Sequence, residues 1–458
     1  MYNNEQSLVH RNLHKTILKL SLPGTISSVL QTLYQLIDVY WVGKLGASAL
    51  AAVGGSSFIL WAVYSLTAFS SNGITTLSAQ NVGAGKTTKA RYAAAQGMVI
   101  STATALLLSV IVFFTQDFLY GIMGFTHIVS HQAHRYMEII LIGILFSFWF
   151  TGLEAVFRGI GDTHTPMYIL AVALTLNALL DPVLIFGWYG FPVLGISGAA
   201  WASVFAQFSA FLLSVVLLNK KKFIPKFERI GKRILELKLI WRILEIGAPI
   251  ALGGFFFSLI YVGLTSIISL YGTNAIAAIG VCHRIEGIAW FACVGFSAAA
   301  ATLVGQNIGA NKINQAGKAA WWVTVYGGST LLFVSAIYYF FPEQLMAIFT
   351  QNKAVQSIGV EYFKIIALFE VFLAFEVIME GAFSGAGYTL PVMLVTVPVT
   401  ALRIPLAWFL AVKLGMGING IWWSIAGTTF LKGALNLILF WKGVWKKNLR
   451  PGGKSSQI

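Results

Sequence analysis

Apolar residues run along this chain in blocks, broken by short turns rich in glycine and polar side chains. Many blocks reach about 20 residues, enough for one helix to cross a hydrocarbon layer roughly 30 Å thick. The residue-by-residue alternation of a membrane strand is absent, as positions 103–114 illustrate. The pattern predicts twelve helices, at 17–42, 49–76, 92–116, 132–155, 165–187, 194–218, 242–270, 276–302, 318–341, 357–380, 388–411 and 417–442. One long polar stretch, 219–238, divides six from six. Within it basic residues alternate with Phe223, Ile224, Phe227, Ile230 and Leu235, the pattern of an amphipathic segment on the cytoplasmic surface. The expected fold is an all-α polytopic membrane protein. Its expected parts are a six-helix lobe over 1–218, a cytoplasmic linker over 219–241, and a six-helix lobe with a basic tail over 242–458.

The two halves repeat each other. Pro23 matches Pro249, Gly46 matches Gly272, and Ala51-Ala52-Val53-Gly54 matches Ala277-Ala278-Ile279-Gly280. Gln80-Asn81-Val82-Gly83-Ala84 matches Gln306-Asn307-Ile308-Gly309-Ala310, and Glu154, Phe157, Gly159, Gly161 and Thr163 match Glu380, Phe383, Gly385, Gly387 and Thr389. Every pair lies 226 positions apart, and chance does not hold one offset so long. Near the ends the register slips, pairing Gly195-Ile196-Ser197-Gly198 with Gly417-Ile418-Asn419-Gly420. Six spans per repeat return the chain to its starting side, so the halves are expected to be related by an axis along the membrane normal. Two such lobes enclose a cleft, and rocking them alternates access to it.

Composition sharpens the reading. Hydrophobic residues make up 57% of the 458 and charged residues only 10%, where a soluble surface needs about a quarter charged. The net charge of +15 is concentrated at Arg11, Lys15 and Lys19, around Lys86, Lys89 and Arg91, at Arg158, from 220 to 242, and in the tail at Lys446, Lys447, Arg450 and Lys454. By the positive-inside rule these segments are cytoplasmic, with both termini inside the cell's inner (plasma) membrane. That distribution makes topology, rather than nucleic acid, the reason for the charge. The polar start and the long apolar run after Lys19 do not resemble a cleavable signal. Cys282 and Cys293 fall in one predicted helix, about 16 Å apart by helical rise, too far to bridge.

Ionisable groups inside spans are costly and are functional candidates by default. Asp38 and Asp181 each follow a proline, Pro23 and Pro166, by 15 residues in outward-running spans, which puts them at similar depth. Asn177 shares a helix face with Asp181, and Ser203 descends in the sixth span to meet them. Two carboxylates, an amide and a hydroxyl suit a hard cation such as Na⁺, and two close carboxylates can instead share a proton. A bare proline kink or cap at Asp181-Pro182 is the alternative. Gln31 and Tyr34 lie on the face of Asp38 and line the cleft or hydrogen-bond between helices.

In the second half Asp38 aligns with Leu264 and Asn177 with Leu402, so the acidic site is missing there. Instead the eighth span carries His283, Arg284 and Glu286, and the eleventh carries Arg403. These are either substrate-cleft residues or a structural network pairing Arg284 or Arg403 with Glu286, Glu370 or Glu376. Glu154 and Glu380, related by the repeat, are expected to be gating or structural, and Arg158 to anchor lipid headgroups. The run Gly83-Ala84-Gly85-Lys86-Thr87-Thr88 imitates part of a phosphate-binding loop, but Gln80 stands where that motif needs glycine and the run follows a helix. No cluster with metal-ligand spacing and no nucleophile motif is present, so no enzyme and no cofactor are expected.

Together these residues resemble the multidrug and toxic compound extrusion (MATE) family, across nearly the whole chain. The resemblance is carried by Pro23, Tyr34, Asp38, Gly43 and Gly46, by 50–54 and 80–85, and by Phe157-Arg158-Gly159 through Pro166. Positions 177–187 with their Asp-Pro, and 381–391, complete it. It implies two six-helix lobes around a central cavity. The implied activity is export of small amphipathic, often cationic, organic compounds in exchange for inward Na⁺ or H⁺. The family's cation site carries over onto Asp38, Asn177 and Asp181, with Ser203 in place of a threonine. Phe257 stands where some members have a second carboxylate in the seventh span. A monomer in contact with membrane lipid is expected, and a lipid-linked precursor flippase of the same superfamily is the alternative.

Overall fold

The computed structural model describes residue 8 and residues 11–226 and 235–449. Phe227 and Ile230 of the predicted amphipathic segment, and Arg450 and Lys454 of the tail, lie outside the described residues. The chain forms two compact units, one built on Ile26–Ala251 and the other on Leu252 onward together with the start of the first helix up to Thr25.

The first half carries α1 (Leu13–Gly43), α2 (Ala47–Ser65), α3 (Ala68–Gly83), α4 (Thr87–Ile122), α5 (His127–Gly159), α6 (His164–Phe186) and α7 (Ile196–Lys220). The second carries α8 (Leu237–Ile268), α9 (Thr273–Gly309), α10 (Ile313–Phe340), α11 (Pro342–Phe349), α12 (Lys353–Ala367) and α13 (Glu370–Ala386). It ends with α14 (Leu390–Ala401), α15 (Arg403–Trp408), a π-helical turn at Phe409–Lys413, and α16 (Ile418–Trp441). Ten helical rods among the described residues are long and apolar enough to cross a membrane, counting α2 with α3 and α14 with α15. The 31-residue α1 and the interrupted α12–α13 rod complete the twelve. Large apolar side chains such as Phe114, Phe118, Phe333 and Trp441 point outward, as a lipid-facing surface requires. No strand occurs among the described residues.

The repeat extends to element ends. The α2–α3 rod, 47–83, and α9, 273–309, differ by the sequence offset at both ends. The turn after each is built the same way: Asn81 Nδ2 donates to the Leu77 carbonyl at 2.8 Å, and Asn307 Nδ2 to the Leu303 carbonyl at 2.8 Å. Gly85 in one turn and Asn311 in the other have φ of 74° and 57°, a left-handed backbone that glycine and asparagine tolerate best. The phosphate-loop imitation is therefore a helix-end turn. Breaks in the rods are not shared. Pro342 lacks the N–H needed to continue α10, so the counterpart of the unbroken α4 is split into α10 and α11. The interruptions at Leu66-Thr67 and Leu368-Phe369 each fall in one half only.

Packing inside each unit relies on small residues that let backbones approach. A Cβ on Gly159 would lie 2.6 Å from Ser78 Cβ and 3.0 Å from the Thr75 carbonyl oxygen, and one on Gly385 would collide with the Ala301 carbonyl at the repeat-related place. The first-helix segments follow the same rule. In the second unit Thr25 Oγ1 donates to the Ala292 carbonyl of α9 at 3.2 Å, and a Cβ on Gly295 would lie 2.7 Å from the Ser21 carbonyl. In the first unit a Cβ on Gly247 of α8 would collide with the Phe69 carbonyl of α3. Chain order and unit membership thus part company at Thr25 and at Ala251, which are themselves one repeat apart.

Candidate functional site

In the first unit α1, α6 and α7 bring the predicted acidic residues together. Asn177 and Asp181 are fully buried one helical turn apart, and Asn177 Nδ2 donates to Asp181 Oδ1 at 3.4 Å. Asp38 is buried on α1, near enough for its charge to be felt at Asp181. Tyr34, one turn before Asp38, lies beside Ser203 of α7, which is 3% exposed. Tyr136 of α5 stands within electrostatic reach of both carboxylates. Asp38 Oδ1, Asp181 Oδ2, Asn177 Oδ1 and the Tyr34 hydroxyl are all buried without a hydrogen-bond partner. Buried polar atoms are normally satisfied, so four bare oxygens, two of them carboxylate oxygens, ask for a cation or protons. The donor set is all oxygen, which suits a hard ion. Gln31, expected on the same face, is exposed.

The second unit has different chemistry at the related helices. Arg403 is buried, and its Nε, Nη1 and Nη2 donate to Thr428 Oγ1 at 2.7 Å, the Tyr261 hydroxyl at 2.7 Å and Thr429 Oγ1 at 2.9 Å. It forms no ion pair among the described residues, so the expected pairing with Glu286, Glu370 or Glu376 is replaced by hydroxyl acceptors. Glu376 instead pairs with Lys432 at 2.7 Å, both buried, and Lys432 Nζ lies 5.9 Å from the centre of the Phe257 ring. Glu286 accepts from the Tyr362 hydroxyl at 2.6 Å. His283 packs edge-on against Tyr261, its Nε2 without a partner. Arg284 is exposed.

The structural register corrects one alignment. The caps Thr163 and Thr389 lie 226 apart, and so do Leu184 and Leu410, whose carbonyls accept from Leu194 and Met416 at 3.1 and 3.2 Å. Asn177 therefore stands opposite Arg403, not Leu402. The slip that pairs Gly195 with Gly417 falls in the following loop, where the first half has four more residues.

Glu154 pairs with Arg158 at 3.1 Å on the same helix, so Arg158 is engaged within the protein; Glu380 sits near Glu376 and Lys432. In the turn after α5, Asp162 pairs with Lys221 at 2.8 Å and accepts from Thr165. Partial burial opposes its charge, but the Lys221 and Thr165 donors outweigh burial and hold its carboxyl below the usual carboxylate range. Lys432, Tyr261 and Tyr362 escaped sequence reasoning. A lysine inside the last apolar span was signal enough for the first; the tyrosines were hidden by their abundance.

The sequence pattern described as MatE matches residues 23–183 and 249–409, one copy in each half. The chain is 29% identical over 440 residues to the "Probable multidrug resistance protein NorM" of Thermotoga maritima, covering 95% of this chain and 94% of that one. It is 28% identical to the "Probable multidrug resistance protein YoeA" of Bacillus subtilis, covering 93% of each. Among solved structures, the outward-facing conformation of a multidrug resistance MATE family transporter of the MOP superfamily superposes with a TM-score of 0.89, 22% identity, and coverage of 97% of this chain and 99% of that one.

Proposed function

We propose, from the premise that this chain belongs to the MatE family, that it is a secondary antiporter exporting small amphipathic organic cations in exchange for inward Na⁺ or H⁺. The family is one of multidrug transporters, and curated relatives carry that description over more than nine-tenths of the chain. The observation that carries the coupling is the set of four unpartnered buried oxygens on Tyr34, Asp38, Asn177 and Asp181. Asp38 and Asp181 supply the negative charge that draws the ion, Asn177 and Ser203 supply neutral oxygens, and Tyr34 closes the set. Loading this site changes the charge buried in the first unit by one or two. That change favours one arrangement of the helices over another and so couples ion entry to substrate exit. The basic segments support cytoplasmic termini in the plasma membrane.

The test is efflux of a fluorescent organic cation from proteoliposomes under a Na⁺ gradient and, separately, a pH gradient. Transport driven by one of them, and lowered several-fold or more in Asp181→Asn at normal membrane levels, is the expected result and identifies the coupling ion. Folded protein that responds to neither gradient but moves a lipid-linked sugar between leaflets would replace this reading with a flippase.

A further inference from the structure

Three helices frame the ion site of the first unit, and their repeat partners frame Arg403 in the second. Asp38 comes from α1, Asn177 and Asp181 from α6, and Ser203 from α7. In the second unit α8 supplies Tyr261, α15 supplies Arg403, and α16 supplies Thr428 and Thr429. Arg403 stands 226 positions after Asn177, while the positions 226 after Asp38 and Asp181 hold Leu264 and Ala407. The second unit therefore lacks both carboxylates and carries a cation at one and the same place.

That cation is unusual in its surroundings. Arg403 is 2% exposed, its three nitrogens are held by three hydroxyls, and no carboxylate lies within ion-pair distance among the described residues. The rings of Phe257 and Tyr261 lie beside the guanidinium, with centres 6.0 and 5.4 Å from its carbon, and present faces that attract positive charge. Of the other buried charges in this unit, Lys432 and Glu376 neutralise each other at 2.7 Å, and Glu286 accepts from the Tyr362 hydroxyl. A ring of neutral oxygens and aromatic faces around a positive centre is how a bound cation is held. A guanidinium in that ring neither dissociates nor gives up its proton.

We infer that Arg403 is a tethered cation occupying, in the second unit, the place that the exchangeable ion takes in the first. The second unit then stays in its ion-loaded arrangement, and coupling ions bind the first unit alone. This rests on the ion site proposed above and adds to it the number of ion sites and the reason for that number.

Chemical rescue tests it. In purified Arg403→Ala protein the melting temperature is expected to fall by several degrees and to be restored by millimolar guanidinium chloride, but not by sodium or potassium chloride. Proteoliposomes of the same variant are expected to regain gradient-driven efflux several-fold with guanidinium. No response of folded Arg403→Ala to guanidinium overturns the inference. Should that variant not fold, Arg403→Lys and Arg403→Gln carry the test. The lysine variant keeps a cation and is expected to retain coupled efflux within a few-fold, the glutamine variant to lose it; equal behaviour overturns the inference. Titration of the unaltered protein with the coupling ion should show one binding process, abolished in Asp181→Asn, and a second that survives Asp181→Asn would overturn it as well. The melting response needs no transport, so it stands or falls apart from the antiporter reading.

Discussion

The first and second units set the same helices against opposite chemistry. At the position of Asn177, which donates to the buried Asp181, the other copy has Arg403 held by hydroxyls. At the positions of Glu376 and Lys432, which pair in the second unit, the first has Phe150 and Ala210. Backbone features, by contrast, are shared almost to the residue: the turns at Gly85 and Asn311 and the approaches at Gly159 and Gly385. Duplication kept the frame, because packing in lipid depends on small residues at fixed places. The charges inside the frame diverged, since that backbone packing does not depend on them.

The largest effect should come from breaking the acidic side of this comparison. Asp181→Asn or Asp38→Asn is expected to lower gradient-driven efflux roughly 5- to 150-fold, the range of an ordinary coupling free energy. Proteoliposome efflux at matched protein levels measures it, and coupling that survives both substitutions would remove the first unit from the mechanism.

The second unit's ion pair comes next. Glu376→Gln strands a buried ammonium and should cost about 3–5 kcal/mol of stability, whereas replacing Glu376 and Lys432 together by leucine and methionine should cost far less. Unfolding of purified protein in detergent would show equal losses if the pair mattered only for its volume.

Glycine substitutions sharpen the shared part. Gly159→Ala and Gly385→Ala should each cost roughly 1–3 kcal/mol by overpacking, and by similar amounts, since both meet the equivalent carbonyl. A large inequality between them would show that the packing is less symmetric than the register.

The smallest effect concerns the Asp162–Lys221 pair, whose second-half counterparts are Tyr388 and Gly443. Because the folded carboxyl is held low, its contribution is present above the unfolded value of about 3.9 and is lost as pH falls through the folded one. With Lys221 partly exposed, roughly 0.2–1 kcal/mol is expected. Acid unfolding curves of the unaltered protein and Asp162→Asn should converge below that range and differ slightly above it.

Most of the frame was legible because it rests on periodic signals. Blocks of apolar residues gave the twelve rods, and one offset gave their pairing. The rod interruptions at Leu66-Thr67 and Leu368-Phe369 were not legible, since neither contains a proline or glycine. Pro342 did carry its signal, and the predicted span 318–341 ends where it acts. The acidic residues stood out by cost alone. The alignment of Asn177 failed because Pro166 and Pro391 lie 225 apart while the caps before them lie 226 apart, so the prolines occupy different positions in their helices. The hydroxyls around Arg403 were invisible for a simpler reason: Thr428, Thr429 and Tyr261 belong to residue types too common to single out.

The exchange of first-helix segments bears on how the chain is made. Leu239, Ile243 and Ile246, from the opening of α8, pack with Leu77, Tyr92 and Ile100 and so complete the interior of the first unit. A ribosome that has finished α7 has therefore not yet produced everything the first unit needs. The early spans must wait in the bilayer, with the surface around Gly73 and Phe69 uncovered, until synthesis has passed Ala251. The start of α1, conversely, is released first and belongs to the unit that is finished last. Each unit is thus completed by a helix segment that the other half of the sequence encodes.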